Sequence, residues 1–68
     1  MKMEIKKNGC KAVIKEILTG ITFHFYVGKI LQRGTIFSKN TSIKDILEYF
    51  EKCILEKENS NNLEKIFA

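Results

Sequence analysis

Two-residue turns recur at nearly even spacing in the first forty residues, at Asn8-Gly9, Thr19-Gly20 and Gly28-Lys29. Asn-Gly is the favoured pair for a type I′ hairpin turn, and Gly in first place suits type II′. A hairpin turn sets which residues of the flanking strands stand opposite one another. A slip of one residue would exchange the two faces of a strand. Between the turns, runs such as Ile21-Thr22-Phe23-His24-Phe25-Tyr26-Val27 alternate apolar with polar or amphipathic residues, the period of a half-buried strand.

The three turns predict three registers. Asn8-Gly9 pairs Ile5 with Ala12 and Met3 with Ile14. Thr19-Gly20 pairs Leu18 with Ile21, Glu16 with Phe23, Ile14 with Phe25 and Ala12 with Val27. Gly28-Lys29 pairs Val27 with Ile30, Phe25 with Gln32, Phe23 with Gly34 and Ile21 with Ile36. All three place Met3, Ile5, Ala12, Ile14, Leu18, Ile21, Phe23, Phe25, Val27, Ile30 and Ile36 on one face. Such agreement between local signals supports a single sheet.

The remainder predicts a helix over 42–57. Ser42 can cap it, with Asp45 three residues on, and Ile43, Ile46, Leu47, Phe50, Cys53, Ile54 and Lys57 recur at helical spacing. The apolar stripe would cover the apolar sheet face and close a two-layer core. The expected fold is α+β: a β-meander with strands at 3–7, 10–18, 21–27 and 30–37, then one helix. An alternative order, βαββα, makes 10–19 helical, because Cys10, Val13, Ile14, Ile17 and Leu18 also fit a helical stripe between Asn8 and Gly20. Residues 1–58 are expected to form one domain. Residues 59–62 read as a polar linker, and Leu63, Ile66 and Phe67 as a short amphipathic tail.

Composition excludes several classes. A chain of 68 residues with 44% hydrophobic content and no Pro is expected to fold rather than stay disordered. Two cysteines, Cys10 and Cys53, are too few for a disulfide scaffold, and with one histidine no zinc-ligand pattern exists. Reduced thiols and a cytoplasmic location are expected, with no membrane span and no cofactor or metal. Abundant Lys, Ile, Asn and Glu with a single Arg fits an AT-rich genome, such as that of a bacterium, its phage or another mobile element.

No catalytic residues are expected. His24 has no Ser or Cys placed to act with it, and Cys53 on the helix stripe reads as a buried structural thiol. No Gly-rich phosphate loop is present.

The functional lead is charge distribution. Lys2, Lys6, Lys7, Lys11, Lys15, Lys29, Arg33 and Lys39 face only Glu4 and Glu16 in residues 1–40, whereas 41–68 are net acidic. Such asymmetry predicts an anionic partner for the sheet. In the registers above, the outward face carries a basic row, Lys15–His24–Arg33, beside an apolar and aromatic row, Val13–Tyr26–Leu31, with Thr35 and Phe37 beyond. The expectation is a non-enzymatic accessory protein that binds DNA or RNA through Lys11, Lys15, His24, Tyr26 and Arg33. Lysines would contact phosphates, Arg33 a phosphate or a guanine edge, and Tyr26 would stack on a base. The alternative is a protein–protein interaction module, an inhibitor of a host complex or a homodimer, docking through Val13, Tyr26, Leu31 and Phe37.

Overall fold

The computed structural model describes the backbone of residues 2–67 and the side chains of residues 2–58. Four strands, β1 (Lys2–Lys7), β2 (Cys10–Ile17), β3 (Gly20–Val27) and β4 (Ile30–Phe37), precede one helix, α1 (Ile43–Phe67). The strands form one antiparallel sheet in the order β1-β2-β3-β4. Residues 10–17 are a strand, so the helical alternative for this segment is excluded.

The first and third turns are as expected. Asn8 and Gly9 both take positive φ, 53° and 76°, as type I′ requires, and Ile5 faces Ala12 while Met3 faces Ile14. Gly28 has φ 60° at the first turn position. Its N–H donates to the carbonyl of Gly9 at 3.1 Å, tying the two hairpin ends together.

The second turn is displaced. Ile17 faces Gly20, so the two loop residues are Leu18 and Thr19, not Thr19 and Gly20. Ala12 consequently faces Phe25 and Ile14 faces Phe23, two residues away from the expected pairing. A two-residue shift keeps every side chain on its face. Only Leu18 is lost from the core, and as a turn residue it is 91% exposed. Gly20 is needed for another reason: a Cβ there would lie 2.5 Å from the backbone carbonyl oxygen of Phe37.

The larger departure is in β4. Val27 faces Ile30 and Tyr26 faces Leu31, but Phe25 then faces Arg33, with a bulge that takes up Gln32. The one-residue shift reverses the faces of everything beyond it. His24 faces Gly34 and Thr22 faces Ile36, so these β4 residues lie on the open face. Arg33, Thr35 and Phe37 turn to the helix side, against Phe25, Phe23 and Ile21. The expected inward Ile36 is 68% exposed, and so is Ile30, which lies next to the turn.

The exchange gives the core an aromatic cluster. Phe23 meets Phe37 edge-on at 5.9 Å and Tyr49 at 5.1 Å, and Phe37 meets Tyr49 at 5.3 Å. Each such pair contributes about 0.5–1.5 kcal/mol beyond its buried area. Cys10, Ala12, Ile14, Ile21, Phe23 and Phe25 of the sheet close over Ile46, Phe50, Cys53 and Ile54 of α1.

Deleting Gln32 tests the bulge. The remaining residues can keep every observed pair, so the thermal midpoint and the amide spectrum away from residues 31–33 are expected to change little. Deleting Thr35 instead should send Phe37 to the open face and lower the midpoint sharply. A spectrum rearranged throughout β4 on removal of Gln32 would show that no bulge exists there.

The Ser42 hydroxyl accepts from the Asp45 N–H at 3.2 Å, the expected N-cap. The helix does not end near residue 57. It continues to Phe67, through the segment expected to be a linker. Residues 59–62 contain only Asn and Ser, which weaken a helix modestly, and neither Gly nor Pro to stop it. The packing expected of Leu63, Ile66 and Phe67 lies outside the described side chains.

Candidate nucleic-acid interface

Covering one sheet face with α1 leaves the other open, and strand alternation populates it. Lys2, Glu4 and Lys6 come from β1, Lys11, Val13, Lys15 and Ile17 from β2, and Thr22, His24 and Tyr26 from β3. Leu31, Gly34 and Ile36 complete it from β4. The face divides in two. The β1–β2 half is lysine-rich, and the β3–β4 half is aromatic and apolar.

Register places like charges directly opposite one another: Lys2 faces Lys15, and Lys6 faces Lys11. Opposed like charges on a sheet are destabilising. Among the described residues, none of these four lysines has a carboxylate within ion-pair distance. The basic groups bordering the helix layer behave differently. Lys7 pairs with Glu51 at 2.7 Å and Arg33 with Glu56 at 2.9 Å, so each edge strand is tied to α1.

Lys11 is half-buried, and its ammonium lies over the Tyr26 ring, 5.0 Å from the centroid. Cation–π contacts of this kind contribute about 0.5–1 kcal/mol at exposed sites. Lys15 is exposed beside Thr22, whose hydroxyl donates to the Lys15 carbonyl at 3.1 Å. His24 lies between Val13 and Gly34. Thr22, His24, Gly34 and Ile36 line a shallow recess where Gly34 contributes no side chain. Gly34 and Ile36 belong to this face, and not to the helix side expected from the turn, because of a bulge that nothing in the residues themselves announces.

Four of the five expected contact residues, Lys11, Lys15, His24 and Tyr26, therefore share the open face. They do not form the expected row, because Lys15 aligns with Thr22 rather than His24. Arg33 is on the other side. Its guanidinium donates to Glu56 at 2.9 Å and to the Tyr49 hydroxyl at 3.4 Å, and it lies 3.6 Å from the Cys53 sulfur. Tyr49 first and Glu56 second hold Arg33 even further above its ordinary range. Burial pushes the Cys53 thiol up, and Arg33 opposes that rise. The Cys53 side chain is thus a neutral packing group at physiological pH.

Of the alternative docking residues, Val13, Tyr26 and Leu31 share the open face, with Leu31 52% exposed. Phe37 does not, since it completes the aromatic cluster under α1. Among the described residues no three His, Cys, Asp or Glu side chains converge as metal ligands. No helix among them is long and apolar enough to cross a membrane. Comparison with family models, curated proteins and solved structures gave no match.

Proposed function

We propose that this chain is a non-enzymatic nucleic-acid-binding accessory protein that uses its open sheet face, with DNA or RNA as partner. The observation that carries this reading is the pair of lysine oppositions, Lys2–Lys15 and Lys6–Lys11, which flank Glu4 without closing an ion pair to it, on a surface the fold leaves uncovered. A polyanion threaded between them would relieve the repulsion, and release of its counterions would supply affinity. Tyr26, His24 and Val13 border the lysines and offer bases an apolar or aromatic contact. Arg33 has no part in this, being engaged with α1.

Fluorescence anisotropy with short oligonucleotides, titrated against salt, tests the proposal. Four phosphate contacts give a log–log salt slope of about −3.6 on a duplex and about −2.8 on a single strand. Lys6→Glu combined with Lys15→Glu converts both like pairs into opposite ones. The double variant is expected to gain about 0.2–1 kcal/mol of stability per pair. It should nevertheless lose roughly 10–100-fold in affinity at low salt. Lys44→Glu with Lys52→Glu changes net charge equally on the exposed side of α1 and should cost far less affinity. Equal losses from both double variants would refute a face-specific site.

A second reading, a protein-interaction module, is favoured by one observation: Leu31 and Ile36 are exposed on the same face. Capture of a protein partner that survives nuclease treatment, and fails with Leu31→Lys and Ile36→Lys, would support it.

A further inference from the structure

Resting on the nucleic-acid reading, we infer that the ligand is single-stranded, with successive bases stacked on Tyr26 and His24 and the backbone lying along the β1–β2 lysines. Tyr26 and His24 are two residues apart on β3, an inner strand, and therefore point to the same face about 7 Å from each other. An extended strand can lay one base on each ring. A duplex keeps its base faces within the stack and offers side chains only base edges and phosphates.

The residue types present and absent agree with this. Among the described residues, the open face carries no Arg, Asn or Gln, and the base-edge readers left on it are its lysines, Glu4 and Thr22. Arg33 is turned to α1, Gln32 is in the bulge opposite Phe25, and Asn8 is in a turn. The rings of Tyr26 and His24 thus stand beside a net-positive track of four lysines around Glu4, the kind of arrangement that binds single strands with little sequence preference.

Gly34 sharpens the inference. It stands opposite His24, and a Cβ there would meet the imidazole only at 3.5 and 3.8 Å, ordinary contact distances. Steric need does not account for this glycine. Its missing side chain leaves the imidazole open from the β4 side, where the recess lined by Thr22, His24, Gly34 and Ile36 gives a base room to lie. At Tyr26 the ring is covered by the Lys11 ammonium, which a base would displace towards a phosphate.

Anisotropy with labelled 12-nucleotide single strands, DNA and RNA, and with the blunt duplex of the same sequence tests this. A single strand of either sugar is expected to bind at least tenfold more tightly than the duplex, with a salt slope of about −2.8. Tyr26→Ala and His24→Ala should each weaken it by about 5- to 150-fold, the range for loss of one base stack. Tyr26→Phe should bind like the parent. Gly34→Val keeps an ordinary strand conformation and should melt no lower than the parent, yet weaken single-strand binding by covering His24. Duplex binding equal to or tighter than single-strand binding overturns the inference and leaves the nucleic-acid reading standing. So does a folded Gly34→Val with parental single-strand affinity. No saturable binding of any oligonucleotide at low salt overturns both.

Discussion

Phe23→Ala is expected to leave much of the protein unfolded at room temperature or slightly above. Phe23 is fully buried at the middle of β3, and its ring is met edge-on by Phe37 and Tyr49. Removing a buried aromatic ring costs about 3–5 kcal/mol, because the cavity left behind closes only in part. A chain of this length has roughly 3–10 kcal/mol of total stability. The midpoint should fall by about 15–30 °C in a melt followed by far-ultraviolet circular dichroism. Ile36→Ala is the informative companion. With the bulge, Ile36 is on the open face, and its truncation should cost no more than about 0.5 kcal/mol. In a bulge-free hairpin Ile36 would face α1, and truncation would cost about 2–5 kcal/mol. Comparable losses in the two variants would therefore contradict the observed register.

How much of this architecture is readable from residues alone depends on parity. The β1–β2 register is legible because Asn8-Gly9 demands a turn that few other pairs can make, and the lysine oppositions follow from it. The β2–β3 register is misread by two residues, since a glycine required by a neighbouring strand resembles a glycine required by a turn. That error is harmless to the faces, and Lys11, Lys15, His24 and Tyr26 keep their side. The bulge is different. Ile36 and Phe37 are adjacent and both apolar, so either could be the inward one, and Gln32 is polar enough to suit both arrangements. Only the fit of Phe37 against Phe23 and Tyr49 on α1 decides between them, and that is a tertiary fact. Arg33 moves with Phe37. The single arginine, the most attractive nucleic-acid contact by residue type, instead anchors an edge strand to the helix.

The same dependence governs the charge reading. Net charge and its bias towards the first forty residues say that an anion would be welcome, but not where. Location comes from β1 and β2, whose alternation puts four lysines on the uncovered side while Lys7 and Arg33 find carboxylates on α1. Lys7 and Arg33 are thereby structural charges, whereas the four lysines are candidates because they share one uncovered face, a placement that composition cannot express.

Gly20→Ala is expected to be clearly destabilising although it adds a single methyl group. The backbone of Gly20 has no positive φ, so conformational strain is not the reason. Its Cβ would stand 2.5 Å from the Phe37 carbonyl oxygen and 3.3 Å from the Ile36 Cγ2. A backbone oxygen cannot rotate away as a side-chain tip can, so the end of β4 must move. Phe37 would move with it, loosening its contacts with Phe23 and Tyr49. Overpacking of this kind costs about 1–3 kcal/mol. The corresponding fall in midpoint is about 5–20 °C for a domain of this size. Gly34→Ala gives the contrast, because its added methyl group meets His24 at ordinary distances and suits a strand better than glycine. Thermal melts should place Gly34→Ala at or above the parent and Gly20→Ala well below it. Were Gly20→Ala to melt with the parent, the close approach of β4 to the start of β3 would be wrong. The packing of Phe37 under the helix, which removes Arg33 and Phe37 from the candidate interface, would then be in question as well.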